Sequence, residues 1–212
     1  MRTPKITRLQ VLETALTLLE TEGIEGLTMR KLADAIGIKA ASLYWHFSNK
    51  QALLEGMADH IVATVAINFQ YKQDWKANLI TLTSQLRDAL LQHRDGARVF
   101  AGTYVISDNV LRINNALIKT FVQSGVSANQ AASSTMTVFY FILGCCIEQQ
   151  AAIFSADSDL INKESEFNQL SQDKFPYTWE AKEMLFSNNY DQRFIDGLNL
   201  IINGLEKIST KG

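Results

Sequence analysis

The side chains with chemistry to offer are concentrated in one short stretch, Leu27 to Lys50. Tyr44, Trp45 and His46 stand in a row, each an aromatic body with a polar tip, and Lys39, Ser42 and Lys50 flank them. Thr28 and Arg30 lie one segment upstream. Hydroxyls and cations of this kind donate to phosphate oxygens, a guanidinium forks onto a guanine edge, and a face of polar-tipped aromatics suits a DNA groove better than open water. The chemistry is recognition, not bond breaking. A second polar cluster, His93-Arg94-Asp95, comes without a nucleophile, paired carboxylates or metal-ligand spacing, so a turn and helix-capping role is the better reading and the chain is not read as an enzyme. Cys145 and Cys146 sit side by side in an apolar run and read as buried thiols in a reducing compartment; neither a disulfide framework nor a metal site is indicated, and no cofactor is called for.

Helices must present these groups. Thr28 is a good N-cap, Leu32, Ala33 and Ile36 form one apolar face, and Gly37 sits where that helix should stop, because glycine enters the left-handed conformation without steric cost. Ile38 would plug the core beside the turn. A second helix, about Lys39 to Phe47, turns Leu43 and Phe47 inward and leaves Lys39, Ser42, Tyr44, Trp45 and His46 outward. Two short helices around a tight turn make a helix-turn-helix whose second member reads DNA. Upstream, Leu9, Leu12, Leu16 and Leu19 make one stripe on a helix from about Thr7 to Thr21, which Gly23 and Gly26 interrupt. Downstream, Ser48 with Gln51 reads as a capping box, opening a helix that carries Leu53, Leu54, Met57, Ile61 and Val65 to near Phe69 as an unbroken rod.

The remaining periodicity predicts helices at Trp75–Gln92, a short turn or helix through Val99–Ala101, then Asp108–Ser124 closed by Gly125. Ala128–Phe154, capped by Ser127, should be buried on most faces; Tyr177–Ser187 and Gln192–Ile208 complete the set. Ser155–Pro176 is polar and weakly periodic and reads as a mobile loop. No strand alternation persists, so the fold class is all-α, with an N-terminal unit over 1–50 (helix-turn-helix about 28–47) and a larger unit over 51–212. The net charge of −2 is no footprint of a nucleic-acid coat, yet residues 1–50 carry +2 and the remainder −4. There is no apolar leader, and the longest apolar runs, around Val138–Cys146, fall far short of the roughly 20 residues of a membrane span. A cytoplasmic protein without membrane contact is expected.

The motif Gly-Leu-Thr-x-Arg-Lys-Leu-Ala over 26–33, Leu43-Tyr44-Trp45-His46-Phe47 and Asn49-Lys50-x-Ala52-Leu53-Leu54 resemble the TetR family of transcriptional repressors. His93-Arg94-Asp95-Gly96-Ala97 with Gly102-Thr103, Leu143-Gly144-Cys145 with Glu148, and the run from Gly197 to Lys207 resemble its tetracycline-repressor subgroup, so the likeness covers nearly the whole chain except the region near Ser155–Pro176. The resemblance implies a C-terminal effector-binding and dimerisation domain. It implies a phosphate-contacting cap at Thr28, a guanine-reading Arg30, backbone contacts from Tyr44, His46 and Lys50, and a base-methyl contact or simple packing for Trp45. Lys39, Ala40 and Ala41 depart from the subgroup's Glu/Gln-Gln-Pro pattern. Ala40 has no amide to pair with adenine and Lys39 adds a cation, so the operator should differ from the tetracycline one.

The effector positions depart further. The resemblance puts Ala66, Leu82, Leu86, Phe100 and Leu117 where tetracycline repressors carry histidine, asparagine, phenylalanine, histidine and glutamine; Thr103 and Glu148 alone match. A Mg²⁺–tetracycline chelate needs oxygen and nitrogen ligands, and these substitutions remove nearly all of them. The expected function is a ligand-responsive homodimeric repressor that leaves a near-palindromic double-stranded operator on binding a small, rather apolar effector, with Thr103 as a polar anchor. Homodimerisation is expected through Ala128–Phe154 and Gln192–Ile208, whose apolar surface exceeds what one protomer covers and which the family pairs into a four-helix bundle. Two recognition helices then enter successive major grooves when about 34–36 Å apart. Two alternatives stay open: a dimeric regulator without a small-molecule effector, its interior simply filled, and an activator.

Overall fold

Every regular element among the described residues of the computed structural model (6–153, 157–171 and 173–209) is a helix. Helix α1 (Arg8–Gly26) opens on a reciprocal cap: Thr7 Oγ1 accepts from Gln10 N–H at 3.2 Å, and Gln10 Oε1 accepts from Thr7 N–H at 2.9 Å. Its buried face is Val11, Leu12, Ala15, Leu16 and Leu19. Leu9, expected in that stripe, is half exposed, because α2 and α4 cover the side that carries Val11 and Ala15 instead. Gly23, at φ +67°, kinks α1 one turn before its end.

Helix α2 (Met29–Ile36) is capped by Thr28, whose Oγ1 accepts from Lys31 N–H at 3.2 Å, and ends at Gly37 in the left-handed conformation, φ +78°. Helix α3 (Ala40–Leu43) is a single turn, shorter than the expected Lys39–Phe47; His46 and Phe47 N–H both donate to Leu43 O, at 2.9 and 3.1 Å, and carry the chain on as a turn. Helix α4 (Lys50–Ile61) starts on Asn49, not Ser48: Ala52 N–H donates to Asn49 Oδ1 at 2.8 Å. It also stops early. Instead of a rod to Phe69, residues 62–68 form turns in which Ala66 and Asn68 hold φ of +58° and +50°. Arg112 stabilises that break, donating to Val65 O at 3.0 Å and Ala63 O at 2.7 Å, carbonyls that a continuing helix would have bonded internally.

The C-terminal part is built around α5 (Trp75–Leu91), whose Leu79, Leu82, Leu86 and Leu90 are almost wholly buried. Against it pack α6 (Gly96–Ala101), α7 (Asp108–Gln123) and α8 (Ala128–Ile153), with the final helix of the chain lying on α8. The expected loop over 155–176 instead contains α9 (Asp157–Ser171), followed by α10 (Pro176–Glu180), α11 (Lys182–Leu185) and that final helix, α12 (Tyr190–Ser209). A ring contact the sequence does not advertise, Phe167 edge-on to Phe186 at 5.0 Å, anchors α9. Phe154, Ser155 and Ala156 lie outside the described residues. Helix α8, 26 residues, is long and apolar enough by composition to cross a membrane, which its unbroken runs understate because serines and threonines interrupt them. Only one face is buried, through Ala131, Thr135, Val138, Phe139, Ile142, Cys146 and Gln150. Met136, Tyr140 and Gly144, four residues apart, stand open, against the expectation of burial on most faces.

Candidate nucleic-acid interface and effector core

The α2–Gly37–α3 unit sorts its side chains by face. Leu43 and Phe47 are buried, while Thr28, Arg30, Lys39, Ala40, Ser42, Tyr44 and Trp45 are exposed and His46 and Lys50 half exposed. Trp45 decides the character of the surface: it is 90% exposed. An indole left that far in water contributes nothing to the core, so packing does not account for Trp45, whereas it does account for Phe47. Two of the nine already have work within the chain. Thr28 Oγ1 accepts from Lys31 N–H yet keeps its own O–H to donate. Lys50 Nζ donates to Ile24 O at 3.1 Å, closing the end of α1 and leaving two of three ammonium protons.

The reader is joined to the larger core at the α1 kink. Ile24 N–H donates to Asp95 Oδ2 at 2.9 Å, and Arg94 reaches back to Glu20 O and Thr21 O at 3.2 and 3.0 Å. His93 Nδ1 meets Glu20 Oε1 at 2.9 Å, and Arg98 bridges Glu25 and Asp95 at 2.7 and 3.2 Å. The Glu25 carboxylate raises the Arg98 guanidinium pKa further. From the other side, buried Gln150 of α8 donates to Leu90 O at 2.9 Å and His93 O at 2.7 Å and accepts from Ala97 N–H at 3.2 Å. The cluster that reads as a turn in sequence is therefore a joint. Gln150 and Arg112 were not singled out from the sequence; the available signal was a pair of glutamines, Gln149 and Gln150, ending an apolar run, and the one arginine of an amphipathic helix. A cleft of about 360 Å³ beside the joint is lined by Gly23, Ile24, Arg94, Asp95, Arg98 and Gln150 among others.

The expected effector residues divide. Ala66, Leu82, Leu86 and Leu117 are buried, at 5, 1, 0 and 1% exposure. Phe100 is half buried, stacked parallel to Phe139 at 6.2 Å, and Thr103 donates its hydroxyl to Phe100 O at 2.9 Å, which ends α6. Glu148 is not with them. It is exposed, in a cleft of about 390 Å³ between α8 and α12 whose lining includes Tyr140, Phe141, Gly144, Tyr190 and Arg193. A larger, open cleft of about 580 Å³ is lined by Thr64, Val65, Gln85, Asp88, Ala89 and Gln92, beside Ala66, whose N–H donates to Gln85 Oε1 at 3.1 Å. Burial pushes the Cys146 thiol up to about 12 and raises that of Cys145, which keeps both thiols protonated near neutrality.

Residues 11–57 match the family of bacterial regulatory proteins described as tetR, and residues 70–209 match the tetracyclin repressor-like C-terminal domain. The chain belongs to the TetR family. It is a DNA-binding transcriptional regulator of the kind that pairs a helix-turn-helix with a helical C-terminal domain. Among TetR relatives it is 35% identical to the class C tetracycline repressor of Escherichia coli, over 96% of this chain and 92% of that one. A possible TetR regulator from Streptomyces coelicolor A3(2) shares 34% identity and superposes with a TM-score of 0.85, covering 95% of this chain and all of the other. ActR of Streptomyces coelicolor, solved in complex with actinorhodin, is 25% identical with a TM-score of 0.85 over 97% and 99% of the two chains. The side chains of Ala66, Leu82, Leu86, Phe100 and Leu117 carry no nitrogen or oxygen donor.

Proposed function

We propose that this protein is a homodimeric, ligand-responsive repressor that releases a near-palindromic operator when a small, rather apolar effector occupies its C-terminal domain. Residues 1–50 are the reader and 51–212 the effector and dimerisation domain, in a cytoplasmic protein. The observation that carries the reading is the exposed row Tyr44-Trp45-His46 beside exposed Arg30 and Lys39, on a reader hydrogen-bonded at Ile24 to the core. In this reading Thr28, Ser42, Tyr44, His46 and Lys50 hold phosphates, Arg30 and Lys39 read base edges, and Ala40 and Trp45 approach thymine methyls. Lys39 and Ala40 give an operator distinct from the tetracycline one.

Self-association is supported by the open stripe Met136, Tyr140 and Gly144 on α8 and by Ile195 and Leu200 on α12, with Leu200 73% exposed. A Cβ on Gly144 or Gly204 would meet nothing within 4 Å, which leaves room for a second backbone to approach. The effector half draws on ActR, which holds actinorhodin, and on the apolar Ala66, Leu82, Leu86, Phe100 and Leu117 with Thr103 as polar anchor and Glu148 supplied at the α8–α12 face.

A second reading has its own observation. Leu82, Leu86 and Leu117 are each at most 1% exposed, the state of a filled core, which favours a regulator without a small-molecule effector. One experiment separates them: select a wild-type-binding duplex from random double-stranded DNA, then titrate the complex with apolar aromatic compounds, including polyketide quinones, and with Mg²⁺–tetracycline. Release by an apolar compound and not by tetracycline supports the first reading; no release by any compound supports the second. Sedimentation equilibrium at micromolar concentration should give twice the chain mass, and a monomer would overturn the dimer.

A further inference from the structure

Helix α3 spans four residues, too short to hold its own direction, since a single turn is the costly nucleus of a helix. The reading segment that follows it, Leu43 to Phe47, must take its orientation from what grips its ends. Leu43 anchors one end, wholly buried. At the other, three contacts converge on His46 and Phe47. The Arg8 guanidinium carbon lies 4.2 Å from the Phe47 ring centroid, and Arg8 Nη1 donates to the neighbouring His46 O at 3.0 Å. Helix α4 passes so close that a methyl placed on Gly56 would come within 2.7 Å of Phe47 Cε1 and 3.1 Å of Leu12 Cδ2. Tyr44, Trp45 and His46 lie between these two anchors, so any swing of Phe47 is delivered to them. Arg8 itself is held in the first turn of α1, next to the reciprocally capped Thr7.

We propose that Arg8 is a positioning residue for DNA recognition: its guanidinium clamps the C-terminal end of the reading segment and sets the angle of Tyr44, Trp45 and His46 without touching the duplex. A planar fork stacks on a ring while donating to a carbonyl beside it; a lysine ammonium is a point charge that cannot hold both geometries. The same contact explains the close pass at Gly56, which leaves the ring no room to retreat toward α4. This inference rests on the DNA-reading role proposed above.

The test uses a duplex selected from random double-stranded DNA by the full-length wild type, with an unrelated duplex as the non-specific probe. Arg8→Ala and Arg8→Lys should both lose about 10- to 50-fold in affinity for the selected duplex, from the combined loss of a stacked cation and a charge-assisted hydrogen bond. Non-specific binding should stay within about twofold, the slope of log affinity against log salt should be unchanged, and amide hydrogen exchange over residues 43–47 should quicken. Gly56→Ala, which displaces the same ring and alters no charge, should reproduce the loss. Wild-type affinity in Arg8→Lys, a salt slope smaller by about one, unchanged exchange over 43–47, or a parallel fall of specific binding, non-specific binding and Tm would each overturn the clamp. A wild type that enriches no duplex would instead overturn the DNA-reading role, and the clamp with it.

Discussion

Replacing Gln150 by leucine tests the joint at its least replaceable point. The side chain is 4% exposed and makes three hydrogen bonds to backbone groups of the α5–α6 connection, at 2.7, 2.9 and 3.2 Å. Leucine is close in volume, so the perturbation is the loss of polar partners and not a cavity. His93 O keeps a second donor, Gly96 N–H at 2.9 Å, so the main damage falls on Leu90 O and Ala97 N–H. A buried group left without its partner costs about 1–3 kcal/mol, which puts the substitution near 3 kcal/mol. For a chain of this size each kcal/mol moves Tm by about 2–4 °C, so a drop of about 6–12 °C is expected. The assay is thermal unfolding followed by far-ultraviolet circular dichroism, with both proteins at one concentration because the proposed dimer would make Tm concentration-dependent. Gln150→Glu should be at least as harmful, because it sets a carboxylate against two carbonyl oxygens. A Gln150→Leu protein that melts within about 2 °C of wild type would refute the reasoning.

Trp45→Ala should leave Tm within about 2 °C, since surface changes of this kind stay near ±0.5 kcal/mol, while weakening the selected duplex at least tenfold; a larger stability loss would mean the indole packs after all. Arg30→Ala should cost about 1–3 kcal/mol of operator affinity and relax one base position, read by titrating matched and mutated duplexes. Arg112→Met frees the carbonyls of Ala63 and Val65, so denaturant unfolding should show a loss of about 2–4 kcal/mol and hydrogen exchange should rise over 62–68. Because burial raises the Cys146 thiol to about 12, the folded state keeps a proton that the unfolded chain sheds from about pH 8.5. Stability is then fully present below that pH and falls by up to about 1.4 kcal/mol per pH unit above it, a slope that should shrink in Cys146→Ala.

Much of the reader was legible because its determinants are local. Thr28 caps by reaching three residues along the chain, and Gly37 turns because it has no Cβ. The faces of Leu43 and Phe47 follow from helical spacing alone. Where a neighbour in sequence competes, the same logic slips: Asn49 and Ser48 are both good caps, and the cap hydrogen bond falls to Asn49. The end of α4 was beyond reach altogether. Its apolar periodicity continues to Val65, and the break depends on an arginine 47 residues away. In the C-terminal domain, residue identity showed an apolar set at Ala66, Leu82, Leu86, Phe100 and Leu117, but only packing set Glu148 on the α8–α12 face, apart from buried Leu82, Leu86 and Leu117.

By itself the sequence determined the all-helical class, the helix-turn-helix, the family and the outward row Tyr44-Trp45-His46, all consequences of spacing within one or two turns. Only the tertiary structure decided how those parts are held to one another. Arg8 on His46, Asp95 on Ile24 and Gln150 across the α5–α6 turn join residues 38 to 71 positions apart. Such contacts depend on directions set by whole helices, and no periodicity along the chain encodes a direction in space.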